Sequence, residues 1–344
     1  MTDRPRVVLL ATPLSARAHL DGTTRAVIDL ARGLVDDARF TPVVLVRSGI
    51  PAPNGCEAIV VGEGAGPLAI FAAVSRARVD VVHAMFAPRR RTGVALRMLR
   101  RPIVQTLASL GRLDRLALGG DVIVATSRAM QGRVDGSVYV PMPFAPESVA
   151  SIVDPPKNHA LFVGDYEHGD ALEPAIAAIE QASSPNGVVP TLAIAARAKS
   201  TRARSIEAAL RARIARSRAL RARVTIVSEV PSLLPYLAGA RCVLLPATST
   251  EAKLDHPRVL LEAIAIGTRI LVGNAPSLRE LVTTPAIGEV VADVASLRDA
   301  IERAFEPHPI DRAAVTAILS PRAPHVVARA YAELYDRVTT SRAR

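Results

Sequence analysis

Residues 223–274 read RVTIVSEVPSLLPYLAGARCVLLPATSTEAKLDHPRVLLEAIAIGTRILVGN and contain three short apolar runs separated by helix-like stretches. The runs RVTIVSE, RCVLLPA and TRILVGN are rich in β-branched residues and are bounded by turn-forming or polar residues, as buried strands are. Between the last two, PRVLLEAIAI is apolar around most of a helix circumference, which indicates a buried helix. This alternation predicts a parallel sheet covered by helices on both faces.

The same alternation extends outward over nearly the whole chain. HALFVGD, VPTLAIAA and GEVVAD complete six strands in the second half, and seven runs in the first half have the same character: RVVLLATP, PVVLVRS, EAIVVGE, VDVVHAMF, RPIVQTLAS, DVIVATS and GSVYVPM. The Pro-Pro pair of SIVDPPK marks a linker between the two halves. We predict a first domain over 1–150, a linker over 151–157, a second domain over 158–322 and, in 323–344, a C-terminal helix that packs back on the first domain.

Length and composition agree with two globular domains. A chain of 344 residues exceeds the size at which one core usually keeps growing. Its content of 49% hydrophobic and 22% charged residues supplies material for two cores. No apolar run approaches the roughly 20 residues of a membrane span, no signal-peptide pattern opens the chain, and the two cysteines lack zinc-type spacing. We therefore expect a cytoplasmic protein.

The formal charge of +11 raises the question of an anionic partner. Six arginines surround the apolar segment VALRML within residues 89–101. Nucleic acid is not expected as a partner, because only 3% of residues are aromatic and the chain has no zinc-finger or RNP-type motif. A peripheral contact with an anionic membrane at its inner face is the better-supported partner. A cluster of arginines of this kind most commonly forms an ordinary solvent-exposed helix face.

One carboxylate, Glu262, stands in the apolar helix of the opening stretch. An ionised carboxylate costs several kcal/mol to bury unless it is paired or hydrogen-bonded. Two interpretations follow: an ion pair with Arg258, four residues earlier, or a position facing a wet cleft. Open parallel sheets bind ligands beyond the carboxyl ends of their strands, where the strand order changes direction. Two such domains facing one another across a cleft would hold a ligand between them.

Several common ligand and catalytic motifs do not occur. ATPLSARAHLDGTTRA follows the first strand without a GxGxxG pattern, so a dinucleotide site is disfavoured. Gly22 opens the next helix there, either as an anion contact or as an ordinary loop glycine. HExxH and CxxC motifs do not occur, so we expect no metal site. GxSxG and Walker A motifs do not occur either, which disfavours a hydrolase or a P-loop NTPase.

Four segments in order resemble the GT-B glycosyltransferases, specifically the GT4-like nucleotide-sugar family. They are VDVVHA (79–84), DVIVATSRAM (121–130), LFVGDYEHGDALEPAIAAI (161–179) and the block from VTIVSE to SLREL (224–281). The resemblance implies an α/β, GT-B chain with two Rossmann-like doubly wound domains. It also implies transfer of a sugar, with retained configuration, from a nucleoside diphosphate sugar to a hydroxyl of a glycan, lipid or small-molecule acceptor. Neither a cofactor nor a metal is implied for that transfer.

The resemblance also assigns site residues. It implies that Glu262 holds the ribose of the nucleotide, and that the helix start at Pro257 and Arg258 faces the diphosphate, as a helix N-terminus suits an anion. Gly164, His168 and Lys253 would border the same diphosphate. Gly22 and His83 would border the acceptor and the anomeric carbon, although a core role for His83 fits its position equally well.

The match departs from the family pattern at several positions. Leu254 stands where the family has the acidic residue that contacts the transferred sugar, and we assign that role to Asp255, with Glu251 as the other nearby acid. Asp165 and His168 replace the usual cations of the diphosphate site. Basic residues that would compensate are Lys253, Arg258, His256, Arg197 and Lys199. Because of these substitutions, an active hexosyltransferase is not the only possible function. One alternative is a catalytically degenerate GT-B scaffold or binding protein, and a third possibility is a sugar-nucleotide isomerase.

Overall fold

The computed structural model describes residues 4–16, 21–110, 115–148, 157–166, 170–183, 187–198, 200–227, 230, 232–250 and 254–343. These residues form two compact units. Unit 1 comprises Met1–Ala145, Thr250–Arg258 and Leu319–Arg344, and unit 2 comprises Pro146–Ser249 and Val259–Ile318. No helix within the described ranges is both long enough and apolar enough to cross a membrane.

The strands of unit 1 are β1 (Arg6–Leu14), β2 (Thr41–Arg47), β3 (Glu57–Val61), β4 (Val81–Phe86), β5 (Ile103–Leu107), β6 (Val122–Ala125) and β7 (Val138–Tyr139). Those of unit 2 are β8 (His159–Asp165), β9 (Leu192–Arg197), β10 (Val224–Ile226), β11 (Ala240–Leu245), β12 (Arg269–Val272) and β13 (Gly288–Val290). Each unit has one parallel sheet, in the order β3-β2-β1-β4-β5-β6-β7 in unit 1 and β10-β9-β8-β11-β12-β13 in unit 2.

The helices connect and cover these strands. They are α1 (Gly22–Asp37), α2 (Pro67–Arg76), α3 (Arg90–Met98), α4 (Arg128–Gln131), α5 (Leu172–Gln181), α6 (Thr201–Arg216), α7 (Arg218–Arg223), α8 (Leu234–Ala238), α9 (Arg258–Ile266), α10 (Pro276–Arg279), α11 (Val294–Ala304), α12 (Arg312–Leu319) and α13 (Pro324–Ala343). The C-terminal helix α13 lies within the predicted range 323–344.

Both faces of the unit 1 sheet are covered. Val7 and Leu9 pack with α1 and α13 on one face, whereas Val8 and Leu10 pack with α2 and α3 on the other. This alternation follows from the two-residue period of a strand. Helices α1 and α13 approach closely at Gly33, where an added Cβ would lie 2.2 Å from the carbonyl oxygen of Pro324.

The predicted fold class is confirmed. Each of the thirteen predicted strand segments overlaps a strand of the structure, and every strand pairing is parallel. The continuous apolar character of these segments reflects burial of both sheet faces.

The division of the chain differs from the predicted boundaries at three points. The first segment of unit 1 ends at Ala145 rather than at 150, and unit 2 begins at Pro146. Thr250–Arg258 belongs to unit 1, although it lies in sequence between two strands of unit 2. The reason is tertiary: Leu254 packs on the core between α1 and the sheet, and Arg258 forms an ion pair with Asp29 of α1. The last segment of unit 1 starts at Leu319, four residues before the predicted start at 323.

Candidate functional site

In unit 2, the strand order changes direction between β8 and β11. The chain proceeds from β8 outward to β9 and β10, and then returns to β11 on the other side of β8. Such a switch point is where open parallel sheets bind ligands, beyond the carboxyl ends of the strands. Gly164 and Asp165 end β8, and Thr248 follows β11 closely. Oδ2 of Asp170 accepts hydrogen bonds from the backbone nitrogen (3.4 Å) and hydroxyl (3.3 Å) of Thr248, and these bonds join the two strand ends.

Tyr166, directly after β8, is a polar group that the sequence motifs did not single out. Its side chain is buried, and within the described part of the chain its hydroxyl has no hydrogen-bond partner. Burial raises the pKa of this phenol to about 12, so it stays a hydrogen-bond donor at neutral pH. An unsatisfied buried hydroxyl costs roughly 1–3 kcal/mol, which makes it a candidate ligand contact.

Helix α9 follows β11 and carries Glu262. The carboxylate-bearing residue is only 3% exposed and stands in a row of buried apolar neighbours, Leu260, Leu261, Ala263 and Ile264. Burial of this side chain agrees with the sequence pattern. The ribose role of Glu262 remains a prediction.

At the start of α9, the structure gives Arg258 a partner that the sequence pattern did not suggest. Nη1 of Arg258 lies 2.6 Å from Oδ2 of Asp29, and the guanidinium carbon lies 5.0 Å from the ring centroid of Phe144. The ion pair neutralises the charge that the sequence analysis assigned to a diphosphate. Pro257 is buried and immediately precedes α9, whereas the prediction placed it in the first helical position.

Asp255 is part of a buried hydrogen-bonded cluster in unit 1. Its Oδ2 accepts a hydrogen bond from the hydroxyl of Ser127, and its Oδ1 accepts one from the hydroxyl of Thr250 at 3.0 Å. The residue is 2% exposed. Both carboxylate oxygens are thus engaged and shielded from solvent, which gives Asp255 a structural role in unit 1, and its catalytic assignment stays a prediction.

His256 and Leu254 are fixed in the same segment of unit 1. Nη2 of Arg322 donates to Nδ1 of His256 at 3.0 Å, so Nδ1 carries no proton. A Cβ added at Gly22 would lie 2.9 Å from Cδ1 of Leu254, so the Leu254 side chain packs closely against the start of α1. Leu254 therefore has a packing role.

Gly22 is the first residue of α1, and Asp21 caps that helix. The carboxylate of Asp21 accepts from the backbone nitrogens of Thr23 at 2.8 Å and Thr24 at 3.4 Å. These are the N–H groups that an anion would use, and an acidic cap repels a second anion. Gly22 therefore lies at a capped helix start, and the predicted ligand contact at this residue stays a prediction.

His83 lies in the middle of β4, paired in register with Leu9 of β1 and Val104 of β5. Its Nδ1 is 2.7 Å from the hydroxyl of Tyr335, its Nε2 is 2.8 Å from the hydroxyl of Thr106, and no part of the residue is exposed. Desolvation lowers the pKa of His83 from its ordinary 6.5 to about 3, so the ring is neutral. The enclosed ring with two hydrogen-bonded nitrogens fits the core role that the sequence left open for His83, and its catalytic assignment stays a prediction.

Two predicted diphosphate contacts, His168 and Lys253, lie outside the described residues, as do Glu251 and Lys199 and most of the predicted linker. Of the remaining predicted residues, Gly164 and Glu262 are in unit 2 and Arg258 starts the helix that carries Glu262. No three His, Cys, Asp or Glu side chains converge within the described ranges. The expected independence from metals and cofactors stays a prediction.

Comparison with known proteins supplies the context for these residues. Residues 157–306 match the family model described as "Glycosyl transferases group 1". None of the curated proteins matches the chain in sequence. Sucrose-phosphate synthase from Thermosynechococcus elongatus superposes with a TM-score of 0.71 at 17% identity, covering 98% of this chain and all of the other.

The chain has the GT-B fold. Two further structures with this fold agree over similar lengths. Anabaena HepE, solved in complex with UDP and glucose, gives a TM-score of 0.71 at 17% identity and covers 97% of this chain and 100% of HepE. AviGT4, a glycosyltransferase of avilamycin A biosynthesis, gives 0.70 at 21% identity and covers 98% of both chains. The GT-B fold that the sequence resemblance implies is confirmed, and the likeness to group 1 glycosyltransferases extends over residues 157–306.

Of the residues that form the buried polar contacts of unit 1 with residues 254–258, the sequence pattern indicated only one. Asp29 stands between buried Ala26 and Gly33 on the apolar face of α1, just as Glu262 stands in α9. An acidic residue on an apolar stripe indicates a buried partner or a site. Ser127, Thr250 and Arg322 gave no comparable signal, because they lie far apart in sequence and outside any periodic pattern.

Proposed function

We propose that the protein is a GT4-type glycosyltransferase that moves a hexosyl group, with retained configuration, from a nucleoside diphosphate sugar to an acceptor hydroxyl. The observation that carries the proposal is the match of residues 157–306 to the group 1 glycosyltransferase family. That range includes β8, β11 and α9, which are the elements around the switch point of unit 2.

The proposal assigns nucleotide binding to unit 2. Glu262 accepts hydrogen bonds from the two ribose hydroxyls, and these charge-assisted bonds are strong in a desolvated environment. Gly164, whose lack of a side chain leaves room beside the end of β8, borders the diphosphate together with His168 and Lys253. Structures of HepE with UDP and with UDP-glucose are consistent with a uridine nucleotide as one donor to test.

Arg258 has a revised role in the proposal. Its ion pair with Asp29 and its contact with Phe144 fix the residue that begins α9. A fixed helix start keeps its backbone N–H groups in a constant orientation, and the N–H groups of a helix start suit a phosphate. Arg258 therefore acts as a positioning residue for the start of α9.

A second candidate function, a GT-B binding protein without transfer activity, is favoured by one observation. Leu254 occupies the position of the acid that would contact the transferred sugar, and it packs on the unit 1 core. Asp255 beside it is engaged with Ser127 and Thr250. The isomerase alternative stays a prediction, and no described contact favours it.

The proposal also includes a peripheral contact with an anionic membrane, through a surface that we call the α3 surface and define by residues 89–100. Met98 on this surface is 76% exposed and Val94 is 45% exposed, among exposed arginines. Exposed apolar side chains surrounded by basic ones suit the boundary of an anionic bilayer. A lipid acceptor would be consistent with that contact.

Donor turnover distinguishes transferase from binding protein. Purified protein is incubated with UDP-, GDP- and ADP-hexoses and with glycan and lipid acceptor fractions, and the release of nucleoside diphosphate is followed. The transferase proposal predicts acceptor-dependent release with at least one donor, and an α-configured donor is expected to give an α-linked product by NMR. Nucleotide binding without any release would favour the binding protein.

A further inference from the structure

A cavity of about 420 Å³ opens at the amino ends of the unit 1 strands. Its lining consists of residues just before β1, β4 and β5: Arg4, Pro5, Arg6, Arg78, Val79, Asp80 and Arg101. The ligand edge of a parallel sheet is the carboxyl edge, which is the other end of the same strands. The cavity is therefore separate from the switch point of this sheet.

The charges around this cavity are unbalanced. Four of the described lining residues are arginines and one, Asp80, is acidic. Oδ2 of Asp80 accepts from the backbone nitrogen of Arg6 at 2.7 Å. The guanidinium of Arg6 pairs with Glu57 and donates to the carbonyl oxygen of Arg78 at 2.5 Å, and its Nε is buried without a hydrogen-bond partner in the described structure.

Arg4, Arg78 and Arg101 have exposed side chains, and no described carboxylate lies within ion-pair distance of them. Guanidinium groups carry positive charge, so three of them around one cavity repel one another and attract a counter-anion. The planar fork of N–H groups matches phosphate oxygens, with which arginine forms bidentate charge-assisted bonds. A cavity lined by three such groups fits a multiply charged anion better than a single halide.

We propose that this cavity, which we call the arginine cavity, binds a phosphate-bearing anion. Arg4, Arg78 and Arg101 supply the binding charge, while Arg6 is held by Glu57 and shapes the floor. The phosphate belongs either to a soluble phosphorylated molecule or to a phospholipid headgroup. The site lies in unit 1 and does not depend on nucleotide binding by unit 2.

The test compares two triple variants of equal charge in the full-length protein. R4Q/R78Q/R101Q removes the three cavity arginines, and R202Q/R218Q/R221Q removes three exposed arginines from α6 and α7. Binding of inorganic pyrophosphate is measured by calorimetry, and binding of phosphatidic acid vesicles by co-sedimentation. Circular dichroism checks that both variants are folded, and nucleotide binding checks that unit 2 is intact.

The proposal predicts at least tenfold weaker binding of pyrophosphate, vesicles or both in the cavity variant, and less than twofold weakening in the control variant. Loss of pyrophosphate binding alone identifies a soluble phosphate ligand, and loss of vesicle binding alone identifies a lipid headgroup. Equal weakening in both variants would show non-specific charge and overturn the proposal. Failure of the wild-type protein to bind either probe would also overturn it.

Discussion

Nη1 of Arg258 lies 2.6 Å from Oδ2 of Asp29, and both side chains are less than a tenth exposed. Asp29 also accepts a hydrogen bond from the backbone nitrogen of Ala145 at 3.4 Å. The pair joins α1 to the residue that starts α9. A buried pair of this kind adds little stability over an apolar pair of similar volume, but loss of one partner leaves an uncompensated buried charge.

We therefore expect Asp29→Ala to lower the free energy of unfolding by about 3–5 kcal/mol, because Arg258 stays buried and charged. The double variant D29A/R258M should lose less than the sum of the two single variants. Urea unfolding monitored by circular dichroism measures both effects. The control is Glu207→Ala, which removes the exposed ion pair with Arg211 and should cost less than about 1 kcal/mol. Equal losses in D29A and E207A would contradict the structural role of the pair.

His83 should make the protein less stable in acid. Its pKa is about 3 in the folded state and 6.5 ordinarily, so below pH 6.5 the unfolded chain binds a proton that the folded chain cannot. This stabilisation is present above the ordinary pKa and is lost as the pH falls toward 3. Between about pH 7.5 and about pH 5, the contribution of His83 falls by about 2 kcal/mol.

The comparison that isolates this effect uses His83→Gln, which keeps hydrogen-bonding capacity and does not titrate. Urea unfolding at the two pH values should show a drop in stability that is about 2 kcal/mol smaller in H83Q than in the wild-type protein. Identical pH dependence in the two proteins would show that the ring is accessible to protons in the folded state.

The strands and helices could be predicted from the sequence because burial of both sheet faces produces runs of consecutive apolar residues. Runs such as RVVLLATP and HALFVGD are apolar at successive positions, and each overlaps the strand that it predicts. Glu262 was conspicuous for the same reason, since a carboxylate in an apolar helix departs from the local pattern.

That residues 254–258 belong to unit 1 could not be predicted from the sequence. Contacts with Asp29, Ser127 and Arg322 decide it, and these residues lie 66 to 229 positions away along the chain. The role of His83 likewise depends on Tyr335, which lies 252 positions later. A motif describes the chemistry of a residue, whereas its exposure depends on which distant elements pack over it.

The end of α1 offers a test of backbone conformation. Ala38 follows the helix with φ at 62°, in the left-handed region that favours glycine. Ala38→Gly should raise the free energy of unfolding by about 0.5–1 kcal/mol, because the strain of a Cβ in this region is removed. Ala72→Gly, at an exposed interior position of α2, should lower it by about 1 kcal/mol. Thermal and urea unfolding compare the two, and a decrease in A38G would refute the assigned conformation.

Attachment of the α3 surface to anionic membranes should depend on salt. We expect flotation with phosphatidylglycerol liposomes at low ionic strength and release at about 0.5 M salt, because screening shortens the range of charge attraction. The triple variant R89Q/R91Q/R100Q should reduce the fraction of protein that floats at least fivefold. The control variant R202Q/R218Q/R221Q should retain most of the flotation of the wild-type protein. No flotation of the wild-type protein at low ionic strength would rule out this contact.

The most direct test of the central claim is equilibrium binding of nucleoside diphosphates and their sugars to the wild-type protein and to Glu262→Gln and Glu262→Ala. Calorimetry is combined with circular dichroism to confirm that each variant is folded. We predict that at least one nucleoside diphosphate binds the wild-type protein, and that its affinity falls at least tenfold in both variants because the ribose hydroxyls lose their carboxylate partner. Unchanged nucleotide affinity in the folded variants, or no nucleotide binding by the wild-type protein, would contradict the account.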